Sequence, residues 1–360
     1  MPPLPTEIRG PSTPLRFAQD DSSWISQTTS GNGSIIGLIG NDGSREVSRS
    51  VRAYYLHQFS PFIVEFREGV GLRWYGFAYV MAFLLGYLLY KRLAERGYTD
   101  LPPAQVGDFI TWAAVFGVMV GGRLGWIIFY GWRQVLDDPW AALRVWEGGM
   151  ASHGGILGLV LFTLYWSWRH RVSWTSIGDS LCVVAPIGLF IVRLANFING
   201  ELYGRPAMVP WAMLFPGEIY DDPALQERLG VASGDQAARF IEAARHQPDL
   251  ANRLREVLTP RHPSQLYEAA LEGLVLFAAL WILRTRFRLP RGVITGAFFI
   301  LYAALRIVGE MFREPDRAWS VGPISAGQFL SIFMFVIGAA FIAWGLRAQQ
   351  YERAFSAGER

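Results

Sequence analysis

The chain has 360 residues, of which 51% are hydrophobic and 14% aromatic, and this composition is too apolar for an ordinary soluble domain of that length. Its 33 lysines and arginines nearly balance 30 acidic residues, so the formal charge of +3 excludes the strongly basic surface of a typical nucleic-acid-binding protein. The single cysteine, Cys182, excludes an intrachain disulfide and any CxxC motif. We therefore predict an all-α protein that crosses a membrane several times.

Residues 1–51 form a polar segment in which proline, glycine, serine and asparagine are frequent. Such a segment buries too little apolar surface to order on its own, so we predict a mostly disordered N-terminal tail. It contains no apolar run long enough for the core of a secretory signal. Insertion is therefore expected to depend on the membrane spans that follow.

Seven segments beyond the tail are long enough to cross about 30 Å of hydrocarbon at about 1.5 Å per helical residue. They cover residues 74–90, 106–130, 153–168, 177–199, 264–283, 292–311 and 323–346. We predict that they form a membrane domain over residues 52–346 and that residues 347–360 are a cytoplasmic C-terminal tail.

The basic residues of the short loops predict the orientation of these spans. Lysine and arginine follow the first, third, fifth and seventh spans, as at Lys91, Arg169, Arg284 and Arg347. The positive-inside rule places those loops in the cytoplasm, with the N-terminus outside and the C-terminus inside. The loops after the second, fourth and sixth spans contain tryptophans, which are typical of a membrane interface, and we expect them to be extracytoplasmic.

A long connection, residues 200–261, separates the fourth span from the fifth. Apolar residues recur at helical spacing in residues 236–244 and 250–258. We predict a small helical subdomain, inserted into the membrane domain on its extracytoplasmic side.

Three arginines lie within predicted spans, and they are Arg123, Arg193 and Arg306. An arginine at the centre of a span costs about 2.5–3.5 kcal/mol, so one that persists usually faces protein or water. Each of the three lies about two helical turns, or about 10 Å, below the outward end of an even-numbered span. We predict that they share one depth. For each alone, extension of the side chain to the membrane surface is the alternative.

Polar neighbours on the same helix faces extend this predicted site. Asn196 follows Arg193 by three residues, so the two side chains share a face. Glu310 follows Arg306 by four residues and is expected to act as its counter-ion.

His153 and Tyr75 are predicted at the outward ends of the third and first spans, and His153 at about the level of the arginines. A structural polar contact is the alternative to a catalytic His153, and an interfacial aromatic residue is the alternative for Tyr75. The other histidines include His57, His170 and His246, which lie in polar segments without a partner at metal-ligand spacing. We therefore predict no metal and no cofactor.

Glycines recur at short spacing in the second and third spans. Gly121 and Gly125 flank Arg123, while Gly154 and Gly158 follow His153. Small residues four apart let helices approach closely, so we predict that these glycines serve in helix packing.

Several guanidinium groups with asparagine, histidine and tyrosine nearby suit a phosphate ester better than a neutral solute. At this depth the phosphate is that of a lipid headgroup. Two classes of function fit, a transferase that acts on a phospholipid and a transporter or flippase that only binds it.

The sequence I-V-R-L-A-N-F-I-N-G-E-L-Y-G at residues 191–204 resembles the signature of bacterial prolipoprotein diacylglyceryl transferase. Further blocks resemble the same family in the same order: R-W-Y-G at 73–76, G-G-R-L-G at 121–125, W-E-G-G-M-A-S-H-G-G at 146–155, R-H-P-S-Q-L-Y-E at 261–268 and R-I-V-G-E-M-F-R-E-P-D at 306–316. The resemblance covers roughly residues 56–346, and the order and spacing of the blocks make it specific. Val192 and Ala195 depart from the signature, which often has glycine at those positions.

The resemblance implies transfer of a diacylglyceryl group from phosphatidylglycerol to the lipobox cysteine of a prolipoprotein in the bacterial inner membrane. The partners would be phosphatidylglycerol, the lipobox peptide and membrane lipid, with no nucleic acid. Residues that match the family's functional positions are Tyr75, His153, Arg193, Asn196, Glu201, Gly204, Arg306 and Glu310. We predict His153, Arg193 and Arg306 as catalytic residues, and Tyr75, Arg123, Asn196, Glu201, Gly204 and Glu310 as substrate-binding residues.

Within this hypothesis, Arg193 and Arg306 bind the lipid phosphate and stabilise the charge of the leaving group. His153 is the candidate general base for the incoming thiol, because an imidazole titrates near neutral pH. Cys182 lies about three turns from Arg193 and deeper in the membrane, so it is not expected to act as a nucleophile.

Overall fold

The structure is a computed structural model that describes residues 54–67, 70–145, 148–232, 234–314, 320–321 and 324–353, with side chains described from residue 329 onward in the last segment. The predicted disordered tail, residues 1–51, lies outside the described residues. The first residue of the seventh predicted span, Pro323, lies outside them as well.

The described residues form eleven helices and one short 3-10 helix, Pro139–Leu143. Seven of the eleven are long and correspond one by one to the predicted spans. In chain order the helices are α1 (Trp74–Glu95), α2 (Pro103–Asp137), α3 (Ser152–His170), α4 (Trp174–Asn199), α5 (Glu218–Asp221), α6 (Pro223–Leu229), α7 (Asp235–His246), α8 (Pro248–Val257), α9 (Ser264–Arg286), α10 (Val293–Glu310) and α11 (Ala326–Ala348). The prediction of a polytopic helical membrane protein is confirmed.

Six helices in the described part of the chain are long and apolar enough to cross a membrane: α1, α2, α4, α9, α10 and the Phe329–Ala348 part of α11. Helix α3 has 19 residues but is not among the six. Polar residues at both of its ends, such as Ser152 and Arg169, shorten its apolar stretch. Seven spans is therefore an approximate number.

Helices α2 and α3 pack closely against each other through glycine, in agreement with the packing role predicted for these residues. A Cβ atom added to Gly125 would lie 2.6 Å from the Cα of Gly154, and one added to Gly158 would lie 2.7 Å from the Cα of Gly121. Real Cβ atoms do not approach so closely, so any side chain at these positions would push the two helices apart.

Two of the long helices contain π-helical turns near the polar residues. In α2, Ala113–Val120 and Ile127–Gly131 are π-helical and flank the turn that carries Arg123. In α9, Ala269–Val275 is π-helical. Such turns are rare and often occur at functional sites.

The apolar core of the bundle is buried between α1, α2, α3, α4, α9 and α10. Its fully buried members include Tyr90, Phe109, Ile177, Leu280 and Ile294. Large apolar side chains such as Val80, Ile128, Ile156, Trp168 and Val336 are instead exposed on the outside of the helices. An outward apolar surface of this kind suits lipid rather than water.

A small unit outside the seven long helices, which we call the end unit, lies at the end of the bundle where α4 finishes. Strands β1 (Tyr55–Leu56), β4 (Met213–Leu214) and β5 (Pro260–Arg261) form a sheet in the order β1-β4-β5, in which β1 is parallel to β4 and β4 is antiparallel to β5. A second apolar core joins Leu56 and Leu214 to the inner faces of α6, α7 and α8. The helices predicted at residues 236–244 and 250–258 are present as α7 and α8.

Two antiparallel hairpins complete the described strands. Strands β2 (Phe62–Arg67) and β3 (Val70–Arg73) lead directly into α1, and β6 (Ser320–Val321) pairs with β7 (Ile324–Ser325) ahead of α11. The sequence prediction contained no strands, because segments this short show no clear alternation of polar and apolar residues.

The opposite end of the bundle holds a network of buried charges. Asp179 accepts hydrogen bonds from the amides of Gly292 and Thr295, both at 2.8 Å, and so caps the start of α10. Arg284 lies 3.9 Å from Asp179 and 3.0 Å from Glu352. Residues 349–353 of the predicted C-terminal tail therefore fold back on the bundle, with Glu352 fully buried.

Candidate functional site

Arg193 on α4 and Arg306 on α10 meet at a pair of fully buried carboxylates on α9. The Nε of Arg193 lies 3.0 Å from Oε2 of Glu268, and its Nη2 lies 3.7 Å from Oε2 of Glu272. The Nη1 of Arg306 lies 3.2 Å from Oε1 of each glutamate. The convergence that helix rise predicted for Arg193 and Arg306 is present.

Arg306 also contacts its predicted neighbour on α10, since its Nη2 lies 3.1 Å from Oε2 of Glu310. A further arginine joins from the segment after α10, where Nη1 of Arg313 lies 3.5 Å from Oε1 of Glu268. We call the six residues the arginine–glutamate cluster: Arg193, Arg306, Arg313, Glu268, Glu272 and Glu310. Its three guanidinium and three carboxylate charges cancel formally when all are ionised.

Sequence reasoning missed Glu268, Glu272 and Arg313. Two acidic residues within one predicted span were the available signal for the glutamates, because a charge in a span is costly unless it faces a partner. Arg313 lies beyond the end of α10, where a charged residue costs little and attracts no notice.

Asn196 links α4 to the first helix. Its side-chain Nδ2 donates to the hydroxyl oxygen of Tyr75 on α1 and to Oε1 of Glu201, the latter at 2.8 Å. The Tyr75 ring stacks on Tyr79 with 5.8 Å between ring centroids. The side chain of Gln265 donates to the carbonyl of Glu201 at 2.6 Å, so the start of α9 holds the loop in place. Asn196, Tyr75 and Glu201 therefore form one hydrogen-bonded group.

Gly204 lies where three stretches of chain come together. Its amide donates to the carbonyl of His262 at 2.9 Å, and it pairs as an isolated β-bridge with Arg313. A Cβ at this position would lie 2.4 Å from the carbonyl oxygen of Phe312 and 2.7 Å from that of His262. Glycine is required here because both obstacles are backbone atoms, which cannot move aside as a flexible side chain would.

Arg261 connects the end unit to this junction through side-chain contacts. Its Nη2 donates to Oε1 of Glu218, and its Nη1 lies 2.9 Å from Oε2 of Glu314. The guanidinium also lies over the ring of Tyr203, 5.0 Å from the centroid. Burial alone would lower the pKa of Arg261, but the hydrogen bonds and charge of Glu218 hold it above its usual value. Arg261 therefore stays charged.

Arg123, the third arginine of the predicted group, binds the backbone of the loop between α2 and α3. Its guanidinium donates to five carbonyl oxygens, those of Ala141, Ala142, Arg144, Gly148 and Gly149. It also lies 4.4 Å from the ring centroid of Trp126. The ion pairs described for Glu268, Glu272 and Glu310 are with Arg193, Arg306 and Arg313, and they do not include Arg123.

His153 is exposed at the start of α3. Its ring lies edge-on to Phe129, at 5.0 Å between centroids, and to Tyr130, at 5.7 Å. The glycine-packed helices α2 and α3 hold these three rings together. The structure does not bring His153 into the ion pairs of the arginine–glutamate cluster.

His57 is a further residue that the sequence analysis did not select. It is only 4% exposed and lies among the rings of Phe59, Phe197 and Phe215. A Cβ on Gly200, which ends α4 with a φ of +69°, would lie 3.0 Å from its Nδ1. His57 therefore packs against the end of the helix that carries Arg193 and Asn196.

An apolar cavity of about 330 Å³ lies beside α1, α2 and α3. Its lining consists of Tyr79, Val118, Gly122, Met150, Ala151, Ser152, Gly155, Ile156 and Leu159. Tyr79 links it to Tyr75 and hence to the Asn196 group. A cavity with this lining accommodates a hydrocarbon chain better than a polar solute.

These features define a class of protein, a polytopic helical membrane protein with a buried polar site and an adjoining apolar cavity. Such a site suits an amphiphile with an anionic headgroup.

Comparison with known proteins specifies the family. The model of the family described as prolipoprotein diacylglyceryl transferase matches residues 61–344. A phosphatidylglycerol–prolipoprotein diacylglyceryl transferase of Rhodospirillum centenum is 42% identical over 74% of this chain and 85% of its own length. Those of Gluconacetobacter diazotrophicus and Bdellovibrio bacteriovorus are 42% and 38% identical, over 79% and 81% of this chain and 90% and 94% of their own lengths. The chain belongs to the prolipoprotein diacylglyceryl transferase family.

Proposed function

We propose that this chain transfers the diacylglyceryl group of phosphatidylglycerol to the lipobox cysteine of a prolipoprotein, forming a thioether and releasing glycerol phosphate. The observation that carries the proposal is the meeting of Arg193 and Arg306 at the buried pair Glu268 and Glu272, within the region that the family model covers. The apolar cavity beside Tyr79 supports it, since the donor has both an anionic headgroup and hydrocarbon chains.

The reaction has two chemical requirements. The carbon–sulfur bond forms at the glyceryl carbon that carries the phosphate ester, while the carbon–oxygen bond to phosphate breaks. The thiol, with an ordinary pKa near 8.5, must lose its proton to a base, and the departing phosphate must gain charge in a site shielded from water. Hydrogen-bond donors already in place at the phosphate lower the second barrier.

Arg193 and Arg306 are proposed to supply those donors. Their side chains are 16% and 14% exposed, so each is mostly buried but still open at one edge. A guanidinium presents five N–H groups in a plane, and each of these two engages only some of them with the glutamates. Glu310 is proposed to fix the orientation of the Arg306 side chain through their ion pair.

The remaining predicted residues are proposed to orient the substrates. Tyr75, Asn196 and Glu201 form the hydrogen-bonded group nearest the end of α4 and are assigned to the lipid headgroup. Gly204 keeps the adjoining junction narrow. Arg123 remains a proposed substrate-binding residue, and its contacts with the loop carbonyls indicate that it would act by fixing that loop next to the cavity residue Met150.

His153 is proposed as the general base that accepts the thiol proton. It is exposed next to Phe129 and Tyr130, so an incoming peptide can reach it from the surface of the bundle. The cavity residue Ser152 directly precedes it. An imidazole is suited to this task because its neutral ring offers one nitrogen that can accept a proton.

The end of the bundle with the β1-β4-β5 sheet is proposed to be extracytoplasmic, with the active site near the outer leaflet of the inner membrane. The support is the distribution of basic residues, since Lys91, Arg169, Arg284 and Arg347 all lie at the opposite ends of their helices from the sheet. A secreted prolipoprotein would then meet the site on the side to which it is exported.

The test is a reconstitution. The purified chain is placed in phosphatidylglycerol vesicles with a lipobox peptide, and the peptide is analysed by mass spectrometry. A peptide that gains the mass of a diacylglyceryl group supports transfer, and a peptide with cysteine replaced by serine serves as the control. Movement of lipid between leaflets without an adduct would instead identify a lipid transporter.

A further inference from the structure

We propose that Glu268 is a positioning residue, a carboxylate shared by Arg193, Arg306 and Arg313 that fixes the spacing of the guanidinium groups around the lipid phosphate. The inference rests on the proposed function and deepens it, because it assigns the arrangement of the phosphate site to a residue of α9.

Glu268 contacts more arginines than any other carboxylate described in the cluster. Its Oε2 lies 3.0 Å from Arg193, and its Oε1 lies 3.2 Å from Arg306 and 3.5 Å from Arg313. The three arginines come from α4, from α10 and from the segment after α10. One side chain therefore ties together three separate stretches of chain.

Glu268 is itself fully buried, and so is the adjacent Glu272. Burying a carboxylate without a partner costs free energy, so the folded state favours the ion pairs between Glu268 and the three guanidinium groups. The contact with Arg306 is also a hydrogen bond, from Nη1 to Oε1 at 3.2 Å. Because a carboxylate accepts hydrogen bonds in the plane of its two oxygens, this bond restricts the direction from which that guanidinium approaches. This restriction is what distinguishes a positioning role from simple charge balance.

The ion pairs leave one edge of the Arg193 guanidinium and one edge of the Arg306 guanidinium without a carboxylate partner. Arg193 uses Nε and Nη2 toward the glutamates, and Arg306 uses Nη1 and Nη2 toward its three glutamates. Among the contacts of the described residues, Nη1 of Arg193 and Nε of Arg306 are not engaged in those pairs. They are the donors that remain for a phosphate, and Glu268 determines their separation.

Glu272 is less well placed than Glu268 to fix the spacing of the guanidinium groups. It contacts Arg306 at 3.2 Å but Arg193 only at 3.7 Å, and its described ion pairs do not include Arg313. We therefore expect Glu268→Gln to reduce turnover more than Glu272→Gln does.

The experiment compares Glu268→Gln with the unsubstituted chain in phosphatidylglycerol vesicles, with kcat and KM for the lipid measured by adduct formation per folded molecule. Glutamine keeps the shape and one acceptor oxygen but removes the charge that orders the arginines. We expect kcat to fall by about tenfold or more, whereas KM for the lipid does not rise, because the cluster gains net positive charge toward an anionic headgroup. A loss of folded protein alone would not lower kcat, because the rates are expressed per folded molecule.

Asp179→Asn is the matched control. Asp179 is also fully buried and lies near an arginine, but it is about 20 Å away from Arg193 along α4, at the other end of the bundle. This variant removes the same charge from an equally buried site. We expect it to lower the unfolding temperature while kcat and KM per folded molecule stay within about twofold of the unsubstituted chain.

A turnover of Glu268→Gln within about twofold of the unsubstituted chain overturns the inference. If Glu268→Gln does not fold, Glu268→Asp takes its place, since it keeps the charge but withdraws the carboxylate by one methylene and is also expected to lose about tenfold in kcat. Normal turnover of that variant overturns the inference equally. Absence of an adduct with the unsubstituted chain would overturn the proposed function and this inference together, whereas a loss confined to the Glu268 variants supports both.

Discussion

Arg306 and Glu310, one turn apart on α10, form an ion pair with 3.1 Å between Nη2 and Oε2. The same guanidinium reaches two further carboxylates on α9, so it is held by three acidic side chains at once. Fixed in this way, it offers a preorganised donor to the lipid phosphate and needs little rearrangement when charge develops there.

We expect Arg306→Lys to fold but to lose transfer activity by about a hundredfold or more, because a lysine ammonium keeps the charge without the planar fork that contacts several carboxylates together. Arg306→Ala should abolish transfer and should also destabilise the fold by about 3–5 kcal/mol, since it leaves buried carboxylates without their partner. Adduct formation per folded molecule measures the first effect, and thermal unfolding measures the second.

The control is Arg228→Ala, which removes an exposed arginine from α6. It should change neither quantity appreciably. Near-normal turnover of Arg306→Ala in phosphatidylglycerol vesicles would remove Arg306 from its proposed role.

Gly204→Ala is expected to reduce both folding and activity. The added Cβ would lie 2.4 Å from the carbonyl oxygen of Phe312 and 2.7 Å from that of His262, so two backbone segments next to the site must separate. We expect a loss of about 1–3 kcal/mol in unfolding free energy, together with lower transfer activity in the molecules that remain folded.

Gly86→Ala is the matched control, because a Cβ at Gly86 on α1 meets no atom within 4 Å. It should be neutral or slightly stabilising, as alanine favours a helix more than glycine does. Equal behaviour of the two variants in unfolding and in transfer would show that the junction at Gly204 is not tight.

From the sequence, the depth of a polar residue in the membrane is easier to predict than the residues that it contacts. Helix rise places Arg193 and Arg306 at one level, and the structure brings them together. The same reasoning places Arg123 at that level, yet its guanidinium binds loop carbonyls instead. Depth along a helix axis does not determine the direction around that axis, which depends on how the helices pack.

Local sequence patterns do not predict which distant segments of the chain contact each other. Glu268 lies in a segment identified by its hydropathy, and its role becomes visible only when α9 lies between α4 and α10. His57 lies in a segment that reads as polar, but Phe197 and Phe215, which bury it, are far away in sequence. In both cases the missing information is a long-range contact rather than a local preference.

His153→Gln tests the proposed general base. Glutamine preserves a polar side chain of similar length but cannot accept a proton near neutral pH. We expect kcat to fall by about a hundredfold, within the range typical of general base catalysis, and the acidic limb of the pH–rate profile to disappear. An unchanged rate with an unchanged pH profile would exclude His153 as the base.

His57 should make the stability of the fold depend on pH. Burial lowers the pKa of His57 to about 4 from its ordinary 6.5, and a hydrogen bond to the backbone of Phe197 offsets part of that effect. Because the folded state favours the neutral ring, its contribution to stability is fully present above the unfolded pKa and is lost as the pH falls from there toward 4. Between about pH 7 and about pH 5 we expect a loss of about 2 kcal/mol.

His57→Phe, which retains an aromatic ring among Phe59, Phe197 and Phe215 but has no group to protonate, should unfold at a lower temperature at neutral pH and show a smaller decrease on acidification. Thermal unfolding of the two proteins across that range measures the difference, and identical pH dependence would mean that His57 is protonated in the folded state as readily as in the unfolded chain.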